Sequence, residues 1–243
     1  MIEAITPDWP APSRVHALST TRIGGFSQPP YDSLNLGDHV DDQPQTVLNN
    51  RVQLVRQMGL PSSPHWLEQV HGCDVVEVGV DHSPMADASI SRRPGQVIAV
   101  MTADCLPLLL CDKRGRCVAA VHAGWRGLLD GVIEAALDKM ALPSTEILAW
   151  MGPAIGPTAF EVGDEVVDAF TQRDSASAQH FKESRAGHKW ANIYGLARQR
   201  LIAKGVSFIG GGQYCTVSDP ARFFSYRRDG VTGRMATLIW LDE

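Results

Sequence analysis

No Cys-x-x-Cys pair occurs among the five cysteines Cys73, Cys105, Cys111, Cys117 and Cys215. An odd, scattered set does not make a secreted disulfide framework, so reduced thiols and a cytoplasmic setting are expected. No apolar stretch approaches the roughly 20 residues a membrane span needs. Residues Met1 to Pro10 show neither the basic nor the apolar part of a secretory leader. Repeats and low-complexity tracts are missing. Charge excess is small: 22 Lys and Arg stand against 27 Asp and Glu, a net −5. That excludes the broad basic footprint of a nucleic-acid or anionic-membrane binder. No zinc-finger spacing, His-Glu-x-x-His helix or His-x-His pair is present.

What the 243 residues do contain is an ordinary globular balance, with 44% hydrophobic residues. Asp41-Asp42-Gln43-Pro44 predicts a helix start. Leu48, Val52, Val55 and Met58 continue it at helical spacing, and Gly59 stops it. Trp66 to Val70 and Asp74 to Val78 read as short strands joined at His71-Gly72. Val97 to Met101, Leu108 to Cys111, Cys117 to Val121, Ile147 to Met151 and Met235 to Leu241 read as further strands. Leu128 to Met140 and Asn192 to Ala203 have helical patterns. The polar interval Thr171 to Lys189 reads as an irregular loop. No linker divides the chain, so one domain over 1–243 is expected. Strands outnumber helices and include hairpin-like pairs, which favours an α/β (α+β) layered sandwich, mixed sheets flanked by helices, over a doubly wound sheet.

Three segments concentrate the chemistry. Gln69-Val70-His71-Gly72, Thr102-Ala103-Asp104-Cys105-Leu106-Pro107 and His122-Ala123-Gly124-Trp125-Arg126-Gly127 each lie where an apolar run breaks. Two imidazoles and a thiol make a three-ligand set with one position open, as in catalytic zinc. Taken singly, His71 is an ordinary strand-end histidine, and most free cysteines are buried and inert. The functional reading requires His71, Cys105 and His122 to converge through the fold.

Around them lie candidate anion and proton-transfer groups. Gly124-Trp125-Arg126-Gly127 opens a helix, and Arg126 adds a forked donor. Thr21 to Ser27 with Arg22, Tyr31 to Gly37 with Asn35, and Ser225 to Asp229 with Arg228 offer polar loops suited to phosphate and a flat ring, as does Gln69 beside His71. Glu161 is the candidate proton acceptor, weighed against an ordinary helix-start acid. Asp104 is a candidate for orienting a ligand.

These residues, in order, carry a family resemblance. Thr21-Arg22-Ile23-Gly24-Gly25-Phe26-Ser27, Tyr31 to Gly37, Trp66 to Gly72, Ala86-Asp87-Ala88-Ser89, Thr102 to Pro107, His122 to Gly127, Met151 to Pro157, Phe160 to Gly163, Phe223 to Asp229 and Thr232 to Ala236 resemble the YfiH/laccase-domain family, also called multicopper polyphenol oxidase family proteins. The match runs nearly end to end. It implies metal ligands at His71, Cys105 and His122, and a fold similar to the catalytic domain of cytotoxic necrotising factor toxins. It also implies zinc-dependent phosphorolysis of adenosine, inosine and methylthioadenosine, with adenosine deamination. The expected partners are a purine nucleoside and phosphate, with no nucleic acid and no membrane, in a monomer or homodimer.

Two alternatives stand beside that reading. The first is a Cys105–His122 amidohydrolase acting on a cytoplasmic cell-wall precursor. The second is a copper-dependent polyphenol oxidase. Four-electron reduction of dioxygen ordinarily takes several coppers held by many imidazoles, and the chain has eight His. One His2Cys site stores a single electron.

Overall fold

Apolar runs alternate between two buried faces, and this alternation builds the layers. A computed structural model describes residues 1–83 and 85–243. In chain order the strands are β1 (Ala4–Ile5), β2 (Val15–Thr20), β3 (Val75–Glu77), β4 (Ala88–Ser91), β5 (Ile98–Thr102), β6 (Leu106–Asp112), β7 (Val118–Ala123), β8 (Ile147–Met151), β9 (Glu161–Gly163), β10 (Phe181–Glu183), β11 (His188–Ala191), β12 (Phe208–Gly211) and β13 (Met235–Leu241). The helices are α1 (Pro44–Met58), α2 (Trp125–Asp130), α3 (Val132–Met140), α4 (Asp164–Arg173), α5 (Ile193–Ala203) and α6 (Tyr226–Asp229).

A four-stranded sheet runs β1-β2-β13-β5, and a six-stranded mixed sheet runs β12-β8-β6-β7-β4-β3. A small antiparallel sheet, β10-β11-β9, lies apart. The two larger sheets share one core: Ile98, Val100, Ile239 and Leu241 meet Leu109, Val118, Ala120 and Trp150. The neighbouring positions Leu108, Leu110, Ala119 and Val121 face the other way, onto Val132, Ile133 and Ala136 of α3 and Leu196, Ala197 and Leu201 of α5. On the far side of the smaller sheet, Ala99, Leu238 and Trp240 pack with Leu54 of α1. Side chains two apart therefore share a layer. The chain is a mixed α/β layered sandwich, as its sequence pattern predicts.

Four local expectations need correction. In α1, Leu48 and Val52 are 52% and 50% exposed, while Val47, Asn50 and Leu54 are buried. Asn50 sets that face. Its amide donates to Ser27 Oγ and the Asn35 carbonyl, and its Oδ1 accepts from the Phe26 amide. Leu128 to Met140 is two helices, broken at Gly131 with φ 110°. Thr171 to Lys189 is not irregular. It finishes α4, makes a 3-10 helix over Ser175–His180 and enters the β10–β11 hairpin. Buried Phe181, 6.1 Å from Phe170, anchors that excursion beneath its polar surface. Trp66 to Val70 makes a single isolated bridge, at Glu68, because the amides from Val70 onward are drawn to a carboxylate.

Candidate metal and substrate site

That carboxylate is Asp87, immediately before β4 and fully buried. It accepts from the amides of Val70, His71 and Gly72 at 3.1, 2.9 and 2.7 Å. His71 bends here with φ 62°. The same carboxylate lies 2.7 Å from His122 Nδ1. A single buried acid thus fixes one imidazole through its ring and the other through its backbone. Burial pushes the Asp87 carboxyl up, but His122 and the Gly72 and Val70 amides outweigh that and hold it below its ordinary value.

Cys105 arrives from another direction. Residues 103–105 carry the chain from β5 in the smaller sheet to β6 in the larger one. Pairing of β6 with β7 sets Leu106 opposite Ala123 and Pro107 opposite His122. The His71, Cys105 and His122 ligand atoms all lie within 4.8 Å of one another, with Cys105 Sγ 3.8 Å from His71 Nε2. Ligand atoms on a tetrahedral zinc stand about 3.5 Å apart, so the donor set fits an ion after a small contraction. Asp87 on Nδ1 leaves His122 Nε2 as the ligand nitrogen, the carboxylate–histidine–metal pattern.

Gly124 leaves the space. A Cβ there would stand 2.9 Å from His71 Cδ2, 3.2 Å from Cys105 Sγ and 3.6 Å from His122 Cε1. Its backbone is extended, φ −60° and ψ 158°. The glycine is therefore needed for room rather than for an unusual dihedral.

Burial would push the Cys105 thiol up, but His122 and His71 outweigh it and bring it down to about 6. Burial opposes protonation of His122, while the Cys105 thiolate and Asp87 raise it to about 9. The other cysteines differ. Burial pushes Cys111 and Cys117 to about 12 and about 11 and raises Cys73, matching the expectation that these thiols are inert. At Cys215 burial is outweighed by hydrogen bonds from Ser218 and Gly156, which lower it.

Two cavities meet at His71, Ala103, Cys105 and Tyr226. One, about 240 Å³, is walled by Trp125, Ile155, Phe160 and Ile193, with Arg126 and Arg227 also in its lining. The other, about 370 Å³, sets His39, Gln69, Thr102, His122 and Arg234 into a mostly apolar lining.

Several sequence candidates serve the scaffold instead. Arg22 spends its guanidinium on the Asp32 carbonyl and carboxylate and the Pro220 carbonyl. Buried Asn35 is satisfied by Gly37, Asp42 and the Arg234 amide. Arg228 braces Thr216, Val217 and Phe223 carbonyls and pairs with Asp229. Glu161 is held by Arg185 and Ser184, which lower its carboxyl to about 2. A carboxylate that weakly basic makes a poor proton acceptor near neutrality. Gln69 does border the second cavity, but its amide is engaged with both backbone groups of Met101. Asp104 orients no imidazole. It accepts from Thr216 Oγ1, Ser225 Oγ and the Arg227 amide at 2.5, 3.1 and 2.6 Å, fixing the start of α6 and hence Tyr226 and Arg227. Arg126 does line a cavity, lying over the Trp125 ring at 4.4 Å.

Sequence reasoning gave no individual role to Asp87, Arg227 or Arg234, although Ala86 to Ser89, Ser225 to Asp229 and Thr232 to Ala236 are among its motifs. A lone acid inside the apolar run Ala86-Asp87-Ala88 was the signal for the first, since a buried charge needs a reason.

Residues 16–242 match the family model described as multi-copper polyphenol oxidoreductase laccase. The chain belongs to this YfiH/laccase-domain family. It is 55% identical over 240 residues to purine nucleoside phosphorylase PA4543 of Pseudomonas aeruginosa, covering 98% of each chain. It is 54% identical to purine nucleoside phosphorylase YfiH of Escherichia coli K12, covering 99% of this chain and 100% of the relative. The crystal structure of Neisseria meningitidis protein NMB0706 superposes with a TM-score of 0.95 at 49% identity, over 99% of both chains. Family members at this similarity carry enzyme names, and the His-Cys-His group of this chain is compatible with metal binding.

Proposed function

We propose that this protein is a zinc-dependent purine nucleoside phosphorylase acting on adenosine, inosine and methylthioadenosine, with adenosine deaminase activity. The carrying observation is the His71–Cys105–His122 group at the junction of an aromatic-walled cavity and one that carries Arg234 and His39. The names of its relatives support the same reading. No helix among the described residues is long and apolar enough to cross a membrane, and the site needs only small, water-borne reactants. The reading takes 1–243 as one domain, working in the cytoplasm as a monomer or homodimer.

His71, Cys105 and His122 hold the ion, and Asp87 keeps His122 in the tautomer that presents Nε2. Bound zinc supplies Lewis-acid polarisation at the open position. Trp125 and Phe160 give a purine flat contact area. Arg126 and Arg227 border that cavity and recognise oxygen acceptors on the nucleoside. The deaminase activity rests on the family resemblance, because Glu161 is unsuited to carry its proton.

One observation favours a second reading. Cys105, His122 and Asp87 form a nucleophile–base–orienter series, and the thiol titrates near 6. A metal-bound thiolate is a poor nucleophile, so the two readings compete for one sulfur. An oxidase is disfavoured: the described residues contain one such ligand group.

Incubation with adenosine or inosine, with and without phosphate, tests the proposal. Ribose 1-phosphate and free base should form only with phosphate, and His71→Ala, Cys105→Ala or His122→Ala should abolish turnover. Phosphorolysis surviving complete metal removal overturns it. Stoichiometric zinc with Cys105 shielded from iodoacetamide until chelation supports the first reading. A metal-free protein whose Cys105 alkylates rapidly supports the second.

A further inference from the structure

Arg234 is one of three half-buried arginines without a carboxylate partner among the described residues, and of the three, with Arg14 on the Asp242 carbonyl and Arg198 on the Ile209 carbonyl, it is the one that shares a cavity with His71 and Cys105. Arg22 pairs with Asp32, Arg51 with Asp38, Arg200 with Glu134 and Arg228 with Asp229. Arg234 makes no such pair among the described residues. Its Nη1 donates to the Thr232 and Gly233 carbonyls at 2.8 and 3.1 Å. The stem lies against Gly37, where a Cβ would come within 2.8 Å of its Cγ. The anions that act on it are the Cys105 thiolate and, behind it, Asp104, whose oxygens are already taken by Thr216, Ser225 and the Arg227 amide; neither accepts a hydrogen bond from the guanidinium. The guanidinium is thus held in the wall of the second cavity with donors to spare and, among the described residues, no hydrogen-bonded counter-anion. Free forked donors on a part-buried cation are a seat for an anionic ligand.

We propose that the Arg234 cavity is the seat of inorganic phosphate, with Arg234 its principal contact and His39 a second. This rests on the phosphorylase reading and adds the direction of attack. In phosphorolysis a phosphate oxygen bonds to C1′ of the ribose while the C1′–N9 bond breaks. The bonding pair leaves with the purine, and the proton carried by hydrogen phosphate ends on the base. With displacement from the face away from the leaving base, the nucleophile and the purine need separate approaches to C1′. The purine suits the Trp125–Phe160 cavity, and phosphate reaches the shared edge from the Arg234 cavity. Arg126 borders the purine's cavity and so lies on the wrong side for this attack.

The test uses the full chain as purified and inorganic phosphate as the probe, with Arg234→Gln, Arg234→Lys and Arg126→Gln. Phosphate binding is followed by 31P NMR titration, and inosine phosphorolysis by initial rates. Arg234→Gln should raise both the phosphate Kd and the phosphate KM at least tenfold, with the inosine KM changed less than threefold. Arg234→Lys, which keeps the stem against Gly37 and the charge but not the fork, should fall between. An Arg234→Gln protein with unchanged melting temperature and a phosphate Kd within twofold of the parent overturns the assignment. So does a tenfold loss of phosphate affinity confined to Arg126→Gln. If the parent protein makes no ribose 1-phosphate, the phosphorylase reading falls, and the titration alone still decides the phosphate seat.

Discussion

Asp87 does more for the site than any ligand does alone. Four donors converge on its two oxygens, from three successive amides and one imidazole. Asp87→Asn would turn an amide N–H toward groups that already donate, leaving buried donors unpaired. Zinc affinity should fall about 10- to 100-fold, measured by chelator competition, while the layered core persists by circular dichroism. Glu161 gives the opposite expectation. Its carboxyl is depressed to about 2 by Arg185 and Ser184, so whatever these contacts contribute is present above about pH 4.5 and lost as pH falls toward 2. Glu161→Gln should leave kcat within about threefold and change stability little, since solvent-screened ion pairs contribute little. A hundredfold loss of deaminase activity alone would restore Glu161 as a proton carrier.

At the scale of elements, the site is a junction: the loop held by Asp87, the corner between β5 and β6, and the β7–α2 turn. Gly124→Ala puts a methyl where the three ligands meet. Metal content by mass spectrometry should drop severely, with an ordinary melting curve for the metal-free protein. The convergence of His71, Cys105 and His122 was legible in sequence because each punctuates an apolar run, as were β8 and β13, whose limits match the pattern. Arg22, Asn35 and Arg228 misled because an arginine or amide in a glycine-rich loop looks the same whether it grips substrate or its own backbone. Asn50 shows the related failure in α1: hydrogen bonding, which hydropathy does not register, chose the buried face. Arg234 was hidden because its significance is a set of unused donors in a cavity wall, a property of three dimensions.

For the whole molecule, one buried layer lies between the two larger sheets and a larger one between the six-stranded sheet and the helices. Trp150 in β8 is 1% exposed in the first of these. Trp150→Ala should cost about 3–5 kcal/mol, read from urea unfolding monitored by circular dichroism. The loss is expected in metal-loaded and metal-free protein alike, because Trp150 lies between the sheets and lines neither cavity at the site.

β13 lies between β2 and β5, although it is the last strand in the sequence. On the ribosome, β2 and β5 are both translated well before the partner that joins them. Until residues 235–241 emerge, each keeps a free edge with unmet amides and carbonyls, the kind of surface that recruits strands from other nascent chains. Chaperone demand during synthesis should therefore concentrate on this sheet. A stop codon ahead of Met235 would sever it down the middle rather than trim its rim.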